Sequence, residues 1–212
     1  MSSARPGFDT LIAAADQALR TLSAPPAALQ PSPAQHVADT VLGDDERRTS
    51  IELMRVNHAG EISAQALYTG QAVFARSPAT QRHLLRAAAE EQDHLAWCWE
   101  RLNELGGRTS HLGPFWYAGG FLLGLAAGAA GDDVSLGFVA ETERQVEAHL
   151  QDHLSRIPES DAKSAAILQR MAEDEAHHGT TARLAGGVAL PAPARSLMAL
   201  GGGLLRRVSL RV

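Results

Sequence analysis

The chain has only one cysteine and no net positive charge, and each of these features excludes a class of protein. Cys98 is the only cysteine among 212 residues, so neither an intramolecular disulfide nor a Cys-x-x-Cys metal site can form. Its neighbours are Trp97 and Trp99, which is typical of a small buried apolar side chain. The formal charge is −5, whereas phosphate binding needs a basic field. We therefore expect no nucleic-acid partner.

The N-terminus lacks the features of an export signal. It begins MSSARPGFDT, with no charged region leading into an apolar run, so a cytoplasmic address is predicted. The hydrophobic share of 45% and the charged share of 20% are those of a globular domain or a peripheral membrane protein. A length of 212 residues is enough for one sizeable core.

Helical periodicity divides the chain into three parts. Residues 1–44 are predicted to hold a short helix, 8–22, and a Pro-rich connector, 24–35, in which no helix can form. Residues 45–187 form the main domain, and residues 188–212 form an apolar, Arg-rich tail. The main domain is predicted to contain four long helices, each ended by proline or by a Gly-Gly pair, at 49–75, 79–105, 135–156 and 160–185.

An apolar, glycine-rich segment, 112–131, lies between the second and third of these helices. It has no formal charge, and Gly120, Gly124 and Gly128 leave one helix face without side chains, which permits close backbone contact. Its length nearly suffices for a bilayer span, but no basic residue adjoins either end, which favours a packed or interfacial crossover helix. Asp132 and Asp133, which follow directly, are expected to cap the next helix.

The C-terminal tail suits two different roles. Residues 194–212 contain arginines and no acid, so they fit an anionic membrane surface. The same apolar and basic pattern also fits an amphipathic helix that packs on the main domain.

Six side chains repeat one pattern of metal-binding groups in the two halves of the main domain. They are Glu61 with Glu91-x-x-His94 thirty residues later, and Glu143 with Glu175-x-x-His178 thirty-two residues later. In a ferritin-like four-helix bundle, two helices supply one Glu each and the other two supply a Glu-x-x-His each. We therefore predict an all-α, ferritin-like bundle with a dimetal site, in which the apolar segment is the crossover and extra helices lie at both ends of the chain.

Helix geometry explains this spacing. Positions i and i+3 share a face, so Glu91 and His94 project side by side, and the same holds for Glu175 and His178. Fifteen helical residues rise about 22 Å, so a step of thirty through an antiparallel turn returns to about the same height. Four buried carboxylates would repel one another, and two divalent cations would neutralise them. Carboxylates with one imidazole per metal favour iron or manganese over structural zinc.

Some neighbouring residues are alternative candidates for the ligand set, and others are expected to orient its imidazoles. Asp174-x-x-His177 has the same spacing as the second motif, and only the repeat selects His178 over His177. Glu90 and Asp174 each precede a predicted ligand, so each is a candidate to bind the outer imidazole nitrogen of the opposite half.

Other polar residues near the motifs are expected to lie outside the ligand set. His58 has no counterpart in the second half, and His149 and His153 lie off the face of Glu143 or too far along its helix. We expect them in the core, beside the ligands or at the surface. Tyr68 lies two turns beyond the first predicted ligand and is expected in the core.

Four stretches resemble the metal helices of the demethoxyubiquinol hydroxylase family of ubiquinone biosynthesis. The most distinctive is RVNHAGEISAQALYTG at 55–70, and the others are EEQDH at 90–94, ETE at 141–143 and DEAHH at 174–178. The resemblance covers roughly residues 45–187, and neither the Pro-rich connector nor the tail contributes to it.

The resemblance implies a di-iron monooxygenase that uses O₂ to hydroxylate the ring of a polyprenyl methoxy-methyl-benzoquinol, demethoxyubiquinol. The six residues carry over position by position, with Glu61, Glu91 and His94 on one iron, Glu143, Glu175 and His178 on the other, and carboxylates bridging. Because the chain has no Gly-x-Gly-x-x-Gly fingerprint, electrons are expected from an external reductant, a partner or the quinol itself.

The water-insoluble prenyl tail of such a substrate implies where the protein works. Segment 112–131 is expected to place the pocket mouth at the cytoplasmic face of the cell membrane, with the protein bound peripherally. Other ubiquinone-biosynthesis proteins are expected partners, and a homo-oligomer is compatible with the pattern.

Three other interpretations give the same residues different roles. A ferritin-like ferroxidase or iron-storage protein has a similar site but needs neither the charge-free segment nor the Asn-His-Ala-Gly-Glu string. A peroxide-scavenging dimetal protein is the second, although the single cysteine excludes types with Cys-x-x-Cys iron sites. A metal-free helical membrane scaffold is the third, and in it replacing Glu91 or His178 by alanine would change nothing measurable.

Overall fold

The computed structural model describes residues 8–23 and 25–212, and every regular element in these ranges is a helix. The helices are α1 Phe8–Ser23, α2 Asp44–Phe74, α3 Pro78–Glu104, α4 Gly113–Ala130, α5 Asp132–Arg156, α6 Ala162–Leu184 and α7 Ala192–Ser209. The predicted all-α class is confirmed. Residues 1–7 of the predicted N-terminal part and Ala24, the first residue of the predicted connector, lie outside the described residues.

The long helices α2, α3, α5 and α6 form the four-helix bundle, and α4 is the crossover between its halves. α2 pairs with α3 and α5 pairs with α6, while the halves meet between α3 and α6 and between α2 and α5. Two apolar layers lie towards opposite ends of the bundle, one containing Leu53, Leu102 and Met171 and the other Leu84 and Val139. The predicted metal-binding residues lie between these layers, near the middle of each helix.

A shared stop signal ends the second helix of each half. Gly106 and Gly186 adopt positive φ angles of 71° and 110°, a conformation that glycine adopts without steric cost. The N–H of Gly107 then donates to the Leu102 carbonyl at 2.8 Å, and the second half repeats this bond. The internal repeat therefore extends from the predicted ligands to the ends of the helices that carry them.

The glycine face of α4 packs directly against α2. A β-carbon on Gly124 would overlap the carbonyl oxygen of Leu67, and one on Gly120 would overlap that of Ser63. The four-residue glycine spacing thus allows the close backbone contact that the sequence predicted, and its partner is the first helix of the bundle.

Helices α1, α4 and α7 surround the outer side of α2. Their inner faces meet in an apolar cluster that includes Ile62 of α2, Trp116 of α4 and Leu205 of α7. The tail thus packs on the main domain, which is one of its two predicted roles. The outer faces expose large apolar side chains, namely Ile12, Leu19 and Leu22 of α1, Phe115, Leu122 and Leu123 of α4, and Leu197, Leu200 and Leu204 of α7. Within the described ranges, none of the helices combines the length and apolarity needed to cross a bilayer.

The first bundle helix begins earlier than predicted. α2 starts at Asp44 rather than Thr49, and its first turn holds three acidic residues, which interact favourably with the exposed N–H groups of the helix start. Glu46 also reaches back, and its Oε2 accepts a hydrogen bond from the N–H of Gly43 at 2.8 Å. Charge and capping therefore extend the helix through a run that has no apolar periodicity.

The start of α5 also differs from the prediction. The helix begins at Asp132 rather than Ser135, and Asp132 does not cap it as expected. Its carboxylate instead accepts hydrogen bonds from the backbone N–H groups of Arg76 and Ser77, at 2.9 and 2.8 Å, in the turn between α2 and α3. The residue therefore joins the start of the second half to the turn of the first.

Candidate metal centre

The structure brings all six predicted side chains together in the middle of the bundle, and all six are buried. Two groups each have one ligand atom per residue within 4.8 Å of all the others, namely Glu61, Glu91, His94 and Glu175, and Glu91, Glu143, Glu175 and His178. Glu91 and Glu175 belong to both groups. Two overlapping groups with two shared carboxylates are the arrangement expected of two adjacent, carboxylate-bridged metal ions.

The inner nitrogen of each imidazole faces the shared carboxylates. His94 Nδ1 lies 3.0 Å from Glu91 Oε2 and 3.3 Å from Glu175 Oε1. His178 Nδ1 lies 3.3 Å from Glu91 Oε1 and 3.4 Å from Glu175 Oε2. Each shared carboxylate thus turns one oxygen to each histidine, whereas the competing His177 is exposed and belongs to neither group.

The outer nitrogen of each imidazole faces an acid from the opposite half. His94 Nε2 lies 3.2 Å from Asp174 Oδ2, and His178 Nε2 lies 2.7 Å from Glu90 Oε2. Such carboxylates fix the orientation of a ligating imidazole and leave its other nitrogen free for a metal. The predicted pairing of Glu90 and Asp174 across the two halves is therefore present.

Several buried atoms of this cluster make no well-aligned hydrogen bond among the described residues, although one of them lies 3.3 Å and 3.4 Å from two others. They are Glu91 Oε1, Glu143 Oε1, Glu175 Oε2 and His178 Nδ1. Buried polar atoms in folded proteins nearly always have a partner, so four orphaned atoms at one place need an explanation. All four are potential metal-ligand atoms, and divalent cations at this place would satisfy them.

The electrostatics of the cluster lead to the same requirement. Burial raises the pKa of Glu61 well above its ordinary value, and the neighbouring Glu91 adds to this shift. Burial likewise raises the pKa of Glu143, and Glu175 adds to it. Burial disfavours charge on His178 too, but Glu175 and Glu91 outweigh it and raise the pKa to about 12. Without metal, protons therefore supply the positive charge that two divalent ions would supply instead.

The donor set indicates which metals fit. It consists of four carboxylates and two imidazoles, which suits iron or manganese. No thiolate takes part, since Cys98 is buried in the core with its sulfur 3.8 Å from that of Met171. Cys98 thus takes the apolar role that the sequence predicted.

Asn57 is a polar residue of the core that sequence spacing does not identify. Its Oδ1 lies 2.9 Å from His149 Nε2 and 3.1 Å from His153 Nδ1. Burial lowers the pKa of His149 to about 3 and that of His153 to about 4, so both rings are neutral at pH 7. His58 and Tyr68 are also buried, and like the other two histidines they belong to neither ligand group.

Comparison with known proteins identifies a family and close relatives. The chain matches the family described as ubiquinone biosynthesis protein COQ7 over residues 48–203. It is similar to a 3-demethoxyubiquinol 3-hydroxylase of Variovorax paradoxus (strain S110), at 54% identity over 97% of this chain and 98% of the relative. Proteins of the same name from Legionella pneumophila (strain Paris) and Xanthomonas euvesicatoria pv. vesicatoria (strain 85-10) are 58% and 52% identical, over 90% and 97% of this chain and 91% and 94% of the relatives.

These matches extend beyond the region in which the sequence showed a resemblance. The family match continues past residue 187 into α7, and the alignment with the first relative covers 97% of this chain. The expectation that the tail contributes nothing was wrong, because the tail lies partly within the family match although it carries none of the metal-site strings on which the resemblance was based.

Proposed function

Because this chain belongs to the COQ7 family of ubiquinone biosynthesis proteins, we propose that it is a 3-demethoxyubiquinol 3-hydroxylase that uses O₂ at a di-iron centre. The single observation that carries the metal part of the proposal is the pair of overlapping ligand groups that share Glu91 and Glu175. The proposed reaction is supported by the names of the relatives, which favour hydroxylation over iron storage or peroxide removal.

Each ligand has a distinct role in the proposed centre. Glu91 and Glu175 would be shared by the two irons, Glu61 and His94 would complete one site, and Glu143 and His178 would complete the other. Iron bound there would activate O₂ so that one oxygen atom enters the quinol ring and the other leaves as water, with two electrons from an external reductant and two protons from solvent. Asp174 and Glu90 hold the imidazoles in the orientation that this requires.

The surrounding helices keep the proposed centre away from bulk water. The apolar layers above and below it are closed by fully buried side chains such as Leu53, Met171 and Leu84. A dry site strengthens the electrostatic interactions of the ligands and limits side reactions of the activated oxygen. The chain thus supplies geometry and shielding, and the metal supplies the oxygen chemistry.

The outer faces of α1, α4 and α7 support a peripheral position on the membrane. Their exposed apolar residues lie on helices that pack around one side of α2, and Phe115 and Leu122 of α4 are each 65% exposed. Arg206 and Arg207 in the last turn of α7 add positive charge, which anionic lipids attract. We propose that this side rests on the cytoplasmic face of the membrane, where a prenylated quinol and other ubiquinone-biosynthesis proteins would reach the chain.

Complementation tests the proposed reaction in cells. The chain is expressed in a bacterial strain that lacks its own demethoxyubiquinol hydroxylase, and the quinones are identified by mass. We expect ubiquinone to reappear with the native chain and the demethoxy intermediate to persist with Glu91→Ala. A soluble, iron-loaded native chain that left the demethoxy intermediate unchanged would contradict the proposal.

A further inference from the structure

The Pro-rich segment 25–35, called the strap below, lies across the outer face of α3 beside the predicted ligands. Asp93 is buried, and its Oδ1 accepts hydrogen bonds from the backbone N–H groups of Leu29 and Gln30, the latter at 3.2 Å. A third bond joins Gln92 Nε2 to the Ala27 carbonyl at 3.5 Å. The strap is therefore attached to α3 at the two residues between Glu91 and His94.

A second attachment leads from the strap to a metal-binding imidazole. The indole Nε1 of Trp97 donates to the Gln30 carbonyl at 3.2 Å, so one strap residue bonds both Asp93 and Trp97. The Trp97 ring packs on the ring of His94, with centroids 5.4 Å apart and an interplanar angle of 46°. Backbone of the strap, indole and imidazole thus form one continuous series of contacts.

These attachments matter because only part of the strap is packed against the apolar core: Ala34 and Ala28 contact it, whereas several other strap residues are exposed. A cavity of about 870 Å³ lies between the strap and helices α3 and α6, and charged side chains such as Glu100 and Lys163 line it. Such a space admits water, so it contributes little to holding the segment in place. The bonds to Asp93 and Trp97 therefore hold the middle of the strap, and the apolar contacts of Ala34 hold its C-terminal end.

Within the described residues, the second half of the bundle has no equivalent attachment of a chain segment beside its imidazole. The repeat places His177 at the position of Asp93 and Thr181 at the position of Trp97. His177 is exposed, and the Thr181 hydroxyl donates to the backbone carbonyl of His178 rather than to another segment. Only the imidazole of His94 therefore has both an outer carboxylate and a second support on its flank.

We propose that the strap is a positioning element for the metal centre, and that Asp93 and Trp97 are positioning residues that slow the loss of metal from the His94 side. Asp174 fixes the outer nitrogen of His94, and Trp97 restricts rotation of the ring. The strap holds Trp97 in turn, because a buried indole N–H needs an acceptor and Gln30 provides it. This inference rests on the proposed metal binding but not on the proposed hydroxylation.

Iron release from the loaded, full-length chain tests this proposal. The protein is loaded anaerobically with iron(II), and the release of iron to a coloured chelator is timed. We expect Asp93→Ala and Trp97→Phe each to release iron about tenfold faster than the native chain, which is the lower end of the effect of losing an outer support. Hydrogen exchange at the Leu29 and Gln30 amides should accelerate in Asp93→Ala, since both lose their acceptor.

Two matched variants separate positioning from general damage. Asp93→Asn keeps an acceptor oxygen in the same place, so it should restore slow iron release and amide protection. Trp99→Phe changes the neighbouring tryptophan of α3, which has no bond to the strap, and should release iron at the native rate. A purely structural contact would lower the free energy of unfolding and leave iron release unchanged.

The outcomes distinguish this proposal from the proposed function. Native iron retention in both Asp93→Ala and Trp97→Phe, despite faster exchange at the strap amides, would overturn the positioning role and leave the metal site intact. Equal acceleration by Trp99→Phe would also overturn it. A native chain that bound no iron at all would overturn both the positioning role and the proposed di-iron centre.

Discussion

At the scale of single residues, each imidazole of the cluster is held from two sides by carboxylates. The inner nitrogen faces Glu91 and Glu175, and the outer nitrogen faces an acid that the other half of the bundle supplies. This crossed support means that neither half can form its site alone. The two halves of the sequence therefore have to fold against each other before the proposed metal ions can bind tightly.

Adjacent histidines in α6 provide a matched test of the ligand assignment. His178→Ala should lose at least one iron per chain and hydroxylase activity, because it removes one of two imidazoles and exposes Glu91 and Glu175 to uncompensated repulsion. His177→Ala should keep both, since that side chain is exposed and lies outside the cluster. Metal content measured by mass spectrometry decides between them, and the reverse outcome would show that the register is wrong by one residue.

A buried ion pair away from the metal centre also makes a residue-scale prediction. Asp161 caps α6 through the Ser164 N–H at 3.0 Å and binds the Arg101 guanidinium at 2.8 Å. Asp161→Ala should lower the free energy of unfolding at pH 7 by about 3 kcal/mol, because it removes the helix cap and the buried carboxylate partner of Arg101, which keeps only the half-exposed Glu104 as a close acidic partner. Asp152→Ala, which removes an exposed acid paired with Arg156, should cost less than about 1 kcal/mol in denaturant unfolding.

The pH dependence of this ion pair has a definite sign. Burial disfavours charge on Asp161, but hydrogen bonding from Ser164 and the charge of Arg101 outweigh it and lower the pKa below its ordinary value. Because the folded pKa lies below the unfolded one, the stabilisation is complete above about pH 4 and is lost as the pH falls through the folded pKa. The difference between the native chain and Asp161→Ala should therefore be constant near pH 7 and shrink in acid. A difference that grew on acidification would contradict this assignment.

The sequence predicts these residue-scale features unequally, for a physical reason. The six predicted ligands and the acids beside their outer nitrogens lie at fixed helical spacings and occur twice, so the pattern predicts them. Asn57 and the attachment of the strap to Trp97 depend on how distant segments meet in space. No local spacing encodes such contacts, and they appear only when the helices are packed.

At the scale of helices, the crossover α4 packs mainly on α2 of the first half. The glycine spacing predicts a face for close contact but does not say which helix it meets. The structure shows that the partner is α2, with Gly124 against the Leu67 backbone. Two helix starts are not predictable from periodicity, because the helices that begin at Asp44 and Asp132 start in polar stretches without a periodic pattern of apolar residues.

Alanine substitutions at two glycines of α4 test this contact, because each substitution adds one methyl group. Gly124→Ala should lower the free energy of unfolding by about 2 kcal/mol, because the added β-carbon overlaps the Leu67 carbonyl and pushes the helices apart. Gly119→Ala adds the same atom where nothing lies within 4 Å, so it should be neutral or stabilise by up to about 1 kcal/mol. Denaturant unfolding of both variants measures this. Equal effects would mean that α4 is not packed on α2 through its glycine face.

At the scale of the whole molecule, a polar bundle with a buried acidic centre carries three further helices on one side. The outer faces of α1, α4 and α7 hold much of the exposed apolar surface, and the inner faces pack around α2. The sequence predicts an apolar crossover and an apolar tail. It does not predict that they meet on the same side, and the division of the chain at residues 44 and 187 stays a prediction.

Exposed apolar residues of α4 allow a test of the proposed membrane side. Phe115→Ser with Leu122→Ser should reduce sedimentation with anionic phospholipid vesicles several-fold, because each side chain is 65% exposed and its burial in lipid is lost. Leu85→Ser changes an exposed leucine of α3, away from that side, and should bind vesicles as the native chain does. Unchanged sedimentation of the α4 double variant, with the fold intact by circular dichroism, would argue against α4 as a contact.

The central claim is that a di-iron centre in this bundle transfers oxygen from O₂ to a demethoxyubiquinol ring. The most direct measurement uses the purified, iron-loaded chain in vesicles with demethoxyubiquinol, a chemical reductant and isotopically labelled O₂, and determines the mass of the quinone product. We predict a product that has gained one labelled oxygen atom, and no product from Glu91→Ala. An unmodified quinol, or a product whose new oxygen came from water, would contradict the claim.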